Sequence, residues 1–239
     1  MLRKPEKPRT PRERLIVALD VDSRERAERL IAELAPHVGL FKVGKELFTA
    51  EGPGIVRRIV AEGGRVFLDL KFHDIPNTVG RAVASGVRLG ASLITVHASG
   101  GRAMLEAGAA SLPTSGVEIL AVTVLTSHTD ASLAETGAAQ NVADTVRRLA
   151  ILARDSGIGG LVSSPQEIPL LREAIGPDML LVTPGIRPRG TAHGDQARVT
   201  TPRDAVRLGG DMIVVGRPIT EASNPADAAR AIVDELSLG

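Results

Sequence analysis

The chain contains no cysteine, tryptophan or tyrosine, and only four phenylalanines among its 239 residues. The absence of cysteine excludes disulfides, thiolate nucleophiles and zinc sites with cysteine ligands. So few aromatic side chains argue against a surface that stacks the bases of single-stranded nucleic acid. A formal net charge of +1 gives no bulk attraction for nucleic acid or an anionic membrane. Any anion must therefore be bound by locally placed groups.

Long apolar runs are also missing. No run approaches the roughly 20 residues that span a membrane, and the N-terminus lacks the apolar core of a secretory signal. Residues 1–14 are instead basic and rich in proline. We expect them to form a solvated, weakly ordered arm before a single catalytic domain at 15–239. These features predict a cytoplasmic protein.

Short β-branched apolar runs alternate with longer stretches of helical spacing after the arm. Nearly continuous hydrophobicity is typical of strands buried on both faces of a parallel sheet. Eight runs alternate with eight candidate helices, which predicts an α/β fold of the (β/α)₈ TIM barrel type. A doubly wound sheet is the alternative, weakened because no glycine-rich dinucleotide fingerprint follows the first run. The predicted strands are 15–19, 40–43, 66–70, 93–96, 119–125, 161–163, 180–183 and 212–215, and the predicted helices are 23–34, 54–61, 78–86, 103–111, 141–155, 165–174, 202–208 and 225–236.

Charged residues interrupt or end the first three apolar runs. Asp20 ends the first and Lys42 interrupts the second. Asp69 and Lys71 lie two residues apart in the third, so they share a face of a regular strand, and Asp74 follows in the turn. Unpaired charges in such places are costly, so these residues must pair or bind a ligand. A buried ion-pair network and a metal site of three aspartates are the alternatives to a catalytic array, and the interleaved lysines disfavour the metal.

Gly216 and Arg217 follow the last apolar run, where barrels often bind phosphate. Gly216 lets an anion approach the backbone N–H, and Arg217 adds a charged fork beside it. The segment 185–201, after the seventh run, is rich in glycine and proline and carries Arg187, Arg189 and Gln196. We predict that this segment closes as a lid over the phosphate, against the plainer interpretation of a surface loop.

The histidines carry a weaker signal. His97 ends the fourth run, and we interpret it as structural. His73 lies inside the charged segment, but its position gives no argument for a catalytic role.

The segment 69–78 resembles the signature of the orotidine 5′-phosphate decarboxylase family, whose members make UMP in pyrimidine biosynthesis. Further matching motifs lie in the order of the bacterial enzymes, at 19–20, 41–44, 124–127, 182–188 and 215–219. The resemblance covers the chain after the arm. It implies a TIM-barrel homodimer that shares its active sites between subunits, binds a nucleotide and needs no metal or cofactor.

The resemblance also implies residue roles. Lys71 protonates C6 of the pyrimidine as CO₂ leaves, within a charged array that adds Lys42, Asp69 and an Asp74 from the other subunit. Thr126, with or without Ser127, contacts the base. The implied substrate-binding residues are Asp20, Lys42, Asp69, Lys71, Asp74, Ile75, Asn77, Thr78, Thr126, Arg187, Gln196, Gly216 and Arg217.

Two other functions stay open. Mg²⁺-dependent sugar-phosphate decarboxylases and aldolases of the same barrel superfamily share the Asp-x-Lys-x-x-Asp pattern of Asp69, Lys71 and Asp74. The residues around that pattern and the Pro-Gly-Ile-Arg-Pro motif at 184–188 favour the nucleotide enzyme. The second alternative is a non-catalytic barrel that only binds, and the complete set of charges argues against it.

Overall fold

Eight parallel strands form a closed barrel in the order in which they occur along the chain. The computed structural model describes residues 4–188 and 200–238. This topology confirms the predicted TIM barrel and excludes a doubly wound sheet, which has two open edges. The strands are β1 (Leu15–Ala18), β2 (Leu40–Gly44), β3 (Val66–Phe72), β4 (Ala91–His97), β5 (Glu118–Val122), β6 (Gly160–Val162), β7 (Leu180–Thr183) and β8 (Met212–Val215).

Helices connect the strands on the outside of the barrel. They are α1 (Arg24–Leu34), α2 (Lys45–Glu51), α3 (Gly54–Ala61), α4 (Pro76–Arg88), α5 (Arg102–Ala110), α6 (Asp130–Ala134), α7 (Val142–Asp155), α8 (Ile168–Ile175), α9 (Pro202–Arg207), α10 (Arg217–Thr220) and α11 (Pro225–Ser237). The sequence missed α2, α6 and α10, which are too short to show a helical period. No helix within the described ranges is long and apolar enough to cross a membrane.

The core has two layers, because alternate strand residues face opposite sides of the barrel wall. The inner layer contains Ile16, Leu40, Phe67, Leu93, Leu120, Leu180 and Met212. The outer layer packs against the helices and includes Leu68, with Leu70 against it. Asp69 lies between these two leucines in the sequence, and its side chain therefore points into the barrel, as strand alternation predicts.

The N-terminal arm packs across the end of the barrel where the strands begin. Pro5 is buried, and Lys7 Nζ lies 2.9 Å from Oδ1 of Asp211, the residue before β8. Arg14 donates a 3.0 Å hydrogen bond to the carbonyl oxygen of Asp211. Most of residues 4–14 are exposed, as expected of a solvated arm, but these contacts attach the arm to the barrel. Composition identifies basic side chains, but it does not reveal the distant carboxylate that binds them.

Candidate active site

The carboxyl ends of the strands surround a cavity of about 370 Å³. This is the face where TIM barrels carry their active sites, and the volume suits a small ligand. Of the residues proposed from the sequence, the cavity is lined by Asp20, Lys42, Asp69, Lys71, Thr126, Arg187, Gly216 and Arg217. Ser127 is exposed and lies outside this lining.

Lys71 and Asp69 form a two-contact ion pair in the lining of the cavity. Lys71 Nζ donates to both carboxylate oxygens of Asp69, at 2.8 Å and 2.9 Å. Their side chains are 24% and 12% exposed, so water screens the pair weakly. Charge-assisted contacts to both oxygens fix the ammonium within a narrow range of positions.

Lys42 extends this pair into an alternating array. Its Nζ lies 2.8 Å from Asp20 Oδ1 and 3.8 Å from Asp69 Oδ2. The ends of β1, β2 and β3 therefore supply a row of charges in the order Asp, Lys, Asp, Lys. This pairing satisfies the requirement that charges inside the barrel mouth must not be left alone.

Gly44, at the end of β2, makes room for the array and was missed by sequence reasoning. A Cβ atom at this position would lie 3.0 Å from Lys42 Nζ and 3.3 Å from Asp20 Oδ1. A larger residue would therefore displace the ammonium or the carboxylate. The detectable signal was a glycine two residues after an inward-facing lysine.

Strand β3 is irregular where it presents these charges. Its pairing with β4 shifts register between Leu68 and Phe72, and Lys71 has a left-handed φ of 54°. Strand alternation predicts a shared face for Asp69 and Lys71 only if the strand is regular there. Their side chains do reach the same space, but a bulge takes part in placing Lys71.

Four predicted residues lie outside the cavity of this chain. Asp74, Ile75, Asn77 and Thr78 are all exposed, around the start of α4. Asp74 Oδ1 accepts a 2.6 Å hydrogen bond from the backbone N–H of Ile75, which holds the turn before the helix. The side chain of Ile75 is 66% exposed, an unusual position for a large apolar residue. One chain alone does not bring these residues to its own charged array.

The segments after β7 and β8 bring Arg187, Gly216 and Arg217 to the same cavity, and β8 is the neighbour of β1 in the barrel. A Cβ atom on Gly216 would make only ordinary contacts, at 3.6 Å from Ala18 Cβ. Packing within the chain therefore leaves space here, and this space suits close approach of a ligand to the backbone. Two further residues of the predicted lid, Arg189 and Gln196, lie outside the described residues.

An apolar wall completes the cavity, and the sequence analysis did not identify it. Its members are Ala18, Phe67, Val122, Val124, Leu125, Val162, Pro184, Ile186, Val214 and Pro218. Strand alternation could have identified part of this wall, because Ala18, Phe67 and Val214 each precede a proposed site residue by two positions and share its face. Such a surface suits the face of a planar ring.

His97 and His73 line a second cavity beside this one, with ring centroids 5.6 Å apart. Burial lowers the pKa of His97, and the positive field of His73, Lys45 and Lys71 lowers it further. Neither histidine lines the charged cavity. The interpretation of His97 as structural fits this placement.

The proposed aspartate metal site does not assemble. Asp74 lies outside the cavity, and Lys42 stands between Asp20 and Asp69. Across residues 4–188 and 200–238, no group of three or more histidine, aspartate and glutamate side chains is arranged to hold a metal ion.

Comparison with known proteins gives one consistent result. The model of a family described as orotidine 5′-phosphate decarboxylase / HUMPS matches residues 13–232. A relative from Anaeromyxobacter sp. (strain K) is 54% identical over 226 residues, which cover 95% of this chain and 99% of the relative. A relative from Moorella thermoacetica is 49% identical over 235 residues, which cover 95% of this chain and 93% of the relative. Both relatives carry the name orotidine 5′-phosphate decarboxylase.

Comparison of the fold with solved structures finds similarity to the same enzyme. The crystal structure of orotidine 5′-phosphate decarboxylase from Lactobacillus acidophilus matches with a TM-score of 0.84 and 40% sequence identity. The match covers 97% of this chain and 99% of that one.

Proposed function

Because this chain belongs to the orotidine 5′-phosphate decarboxylase / HUMPS family, we propose that it converts orotidine 5′-monophosphate to UMP with Lys71 as the proton donor. The observation that carries the proposal is the Asp20–Lys42–Asp69–Lys71 row in a cavity that Arg187 and Arg217 also line. The charges proposed to react and the charges proposed to bind phosphate thus line one cavity. In this proposal the protein is a cytoplasmic biosynthetic enzyme.

The chemical step needs one proton and no cofactor. The bond between C6 and the carboxylate carbon breaks, CO₂ leaves, and the electron pair stays on C6. The Lys71 ammonium stabilises that developing charge and then gives its proton to C6. Solvent restores the proton to the neutral amine after the product leaves.

Asp69 fixes the proton donor. Its contacts to Lys71 through both oxygens hold the ammonium in place before substrate arrives. Electrostatic stabilisation is largest when the charge is positioned in advance, because no reorganisation is needed during the reaction. The Asp69 carboxylate also repels the carboxylate of the substrate, and this repulsion ends when neutral CO₂ departs.

The phosphate binds far from C6 and still assists the reaction. Arg187, Arg217, the backbone N–H of Gly216 and Gln196 of the lid hold it. Their binding energy closes the lid and excludes water from the charged array. Asp20 and Lys42 bind the ribose, Thr126 contacts the base, and the apolar wall accepts one face of the pyrimidine.

The active enzyme is a homodimer in this proposal. Asp74 and Thr78 are exposed at the start of α4, where they are available to complete the site of a second copy, together with Ile75 and Asn77. The 66% exposure of Ile75 supports an apolar contact with that copy. Each subunit then supplies one charged array and completes the array of its partner.

A Mg²⁺-dependent sugar-phosphate enzyme is the nearest rival, since the family model spans both kinds of member. Two observations disfavour it for this chain. Relatives about half identical over nearly the whole chain carry the nucleotide enzyme's name. The ammonium of Lys42 between Asp20 and Asp69 would also repel a cation. Activity that persists in EDTA separates the two.

The decisive experiment follows the absorbance of orotidine 5′-monophosphate after addition of purified protein. Wild type removes the substrate, and Lys71→Ala does not. Lys45→Ala is the matched control, because Lys45 is an exposed lysine at the start of α2 that does not line the cavity. No loss of substrate with wild type would reject the proposed function and favour a non-catalytic barrel.

A further inference from the structure

Lys71 has a backbone conformation that a lysine rarely adopts. Within the described ranges it is the one non-glycine residue with a positive φ, at 54°. The left-handed region brings Cβ close to the following carbonyl, so side-chain-bearing residues avoid it. Surrounding contacts must therefore hold the backbone there.

The pairing of β3 with β4 shows where that contact lies. Leu68 pairs with Ile94, and the next pair joins Phe72 with Val96. Three residues of β3, from Asp69 to Lys71, thus stand opposite the single residue Thr95 of β4. Regular ladder hydrogen bonds cannot serve this bulge, so its polar groups need another partner.

Thr95 supplies that partner through one hydroxyl group. Its Oγ1 accepts a 2.8 Å hydrogen bond from the backbone N–H of Lys71 and donates a 3.0 Å hydrogen bond to Asp69 Oδ1. A hydroxyl has one donor and two acceptor sites, so both bonds can form at once. The residue is completely buried, and water cannot replace it.

We propose that Thr95 is a positioning residue for the decarboxylation, which makes this inference dependent on the proposed function. Its hydroxyl holds the Lys71 backbone in the left-handed conformation and holds the Asp69 carboxylate toward the Lys71 ammonium. Without the hydroxyl, Asp69 turns about its side-chain bonds and the bulge relaxes. The proton donor then moves away from C6, while the phosphate-binding residues after β7 and β8 stay in place.

Thr95→Val tests this role, since valine keeps the shape of threonine and removes the hydroxyl. We expect kcat to fall by about 100-fold, the cost of a small misplacement of a reacting group. The affinity for UMP, measured by calorimetry, stays within about twofold because its phosphate contacts lie elsewhere. Thr95→Ser, which restores the hydroxyl, recovers most of kcat.

Thr123→Val is the matched control. Thr123 is 4% exposed at the end of β5, and its Oγ1 has no hydrogen-bond partner in the described part of the chain. Removing that hydroxyl leaves kcat unchanged. A loss in Thr95→Val that is shared by Thr95→Ser or by Thr123→Val would overturn the positioning role.

Amide hydrogen exchange separates this inference from the proposed function. In Thr95→Val the Lys71 amide loses its acceptor, and we expect it to exchange about tenfold faster than in wild type and in Thr95→Ser. This result needs no substrate, so it stands even if wild type fails to decarboxylate. Equal exchange rates in wild type and Thr95→Val, or an unchanged kcat in an active enzyme, would reject the role of Thr95.

Discussion

Lys42 and Asp69 face each other from neighbouring strands, with Nζ 3.8 Å from Oδ2. Each has a closer partner on its other side, Asp20 at 2.8 Å from Lys42 and Lys71 at 2.8 Å from Asp69. The longer contact therefore joins two tight pairs into one array. Asp69 is the carboxylate that both lysines share.

Asp69→Asn removes that shared charge with little change in volume. We expect kcat to fall by about 100-fold to 1,000-fold, because the Lys71 ammonium loses the group that fixes it and stands near a second cation. Steady-state assays with orotidine 5′-monophosphate measure the change. Asp22→Asn, at an exposed position next to the end of β1, is the control. A kcat close to that of wild type would contradict the role of Asp69.

The sequence predicts the barrel from eight apolar runs that alternate with helical stretches, and the charged row for a different reason. Charges are rare in buried strands, so Lys42 and Asp69 stand out in apolar runs, and the period of two gives their direction. Thr95 gives no such signal, and Gly44 gives only a weak one. A threonine in a strand resembles any β-branched residue, and a glycine at a strand end resembles a turn.

Two other features of the structure are not apparent from composition and periodicity. Composition predicts a solvated arm, and it does not reveal that Lys7 forms an ion pair with Asp211, 204 residues along the chain. Predicted strand 119–125 is too long, since β5 ends at Val122. Apolar residues after that point line the cavities rather than extend the strand. Periodicity alone does not distinguish an apolar residue that extends a strand from one that lines a cavity.

Arg217→Ala tests whether phosphate binding assists the reaction at a distance. We expect KM to rise and kcat to fall, because lost phosphate contacts weaken closure of the lid over the array. Orotidine, which lacks the phosphate, gives the sharper comparison. Its slow turnover should be the same for wild type and Arg217→Ala. Unchanged kcat and KM for the nucleotide would reject the assignment of Arg217.

At the opposite end of the barrel, the contacts of Asp211 predict that its replacement lowers the stability of the fold. Its carboxylate accepts hydrogen bonds from Lys7, from Arg172 at 2.6 Å and from the backbone N–H of Leu181 at 2.8 Å, and the residue is 7% exposed. Asp211→Ala leaves the Leu181 amide without its acceptor and the Arg172 guanidinium with only its backbone carbonyl contacts, and we expect the free energy of unfolding to fall by about 3 kcal/mol. Urea denaturation measures it, while kcat at 25 °C stays unchanged because the site is at the other face.

The arm itself contributes less than this carboxylate. The Lys7 side chain is 38% exposed, so Lys7→Ala should cost only about 0.5–1 kcal/mol. Lys4→Ala is the control, since its ion pair with Asp178 is mostly exposed and should have no measurable effect. Equal losses for Lys4→Ala and Lys7→Ala would mean that the pair with Asp211 does not anchor the arm.

Mixing two inactive variants tests whether Asp74 acts on the partner subunit. Lys71→Ala and Asp74→Ala homodimers should each be inactive. In a mixed dimer, one site combines the intact Lys71 of one subunit with the intact Asp74 of the other, and the second site carries both substitutions. Random reassortment makes half of the dimers mixed, so roughly a quarter of wild-type activity should return.

The alternative arrangement gives a different result. If Asp74 completed the array of its own chain, each site of a mixed dimer would carry one substitution and no activity would return. Mixing Lys71→Ala with Asp69→Asn is the internal control. Both substitutions affect the array that one subunit supplies, so their mixed dimers have no intact site. Recovery with Asp74→Ala and none with Asp69→Asn would therefore assign Asp74 to the neighbouring site and Asp69 to its own.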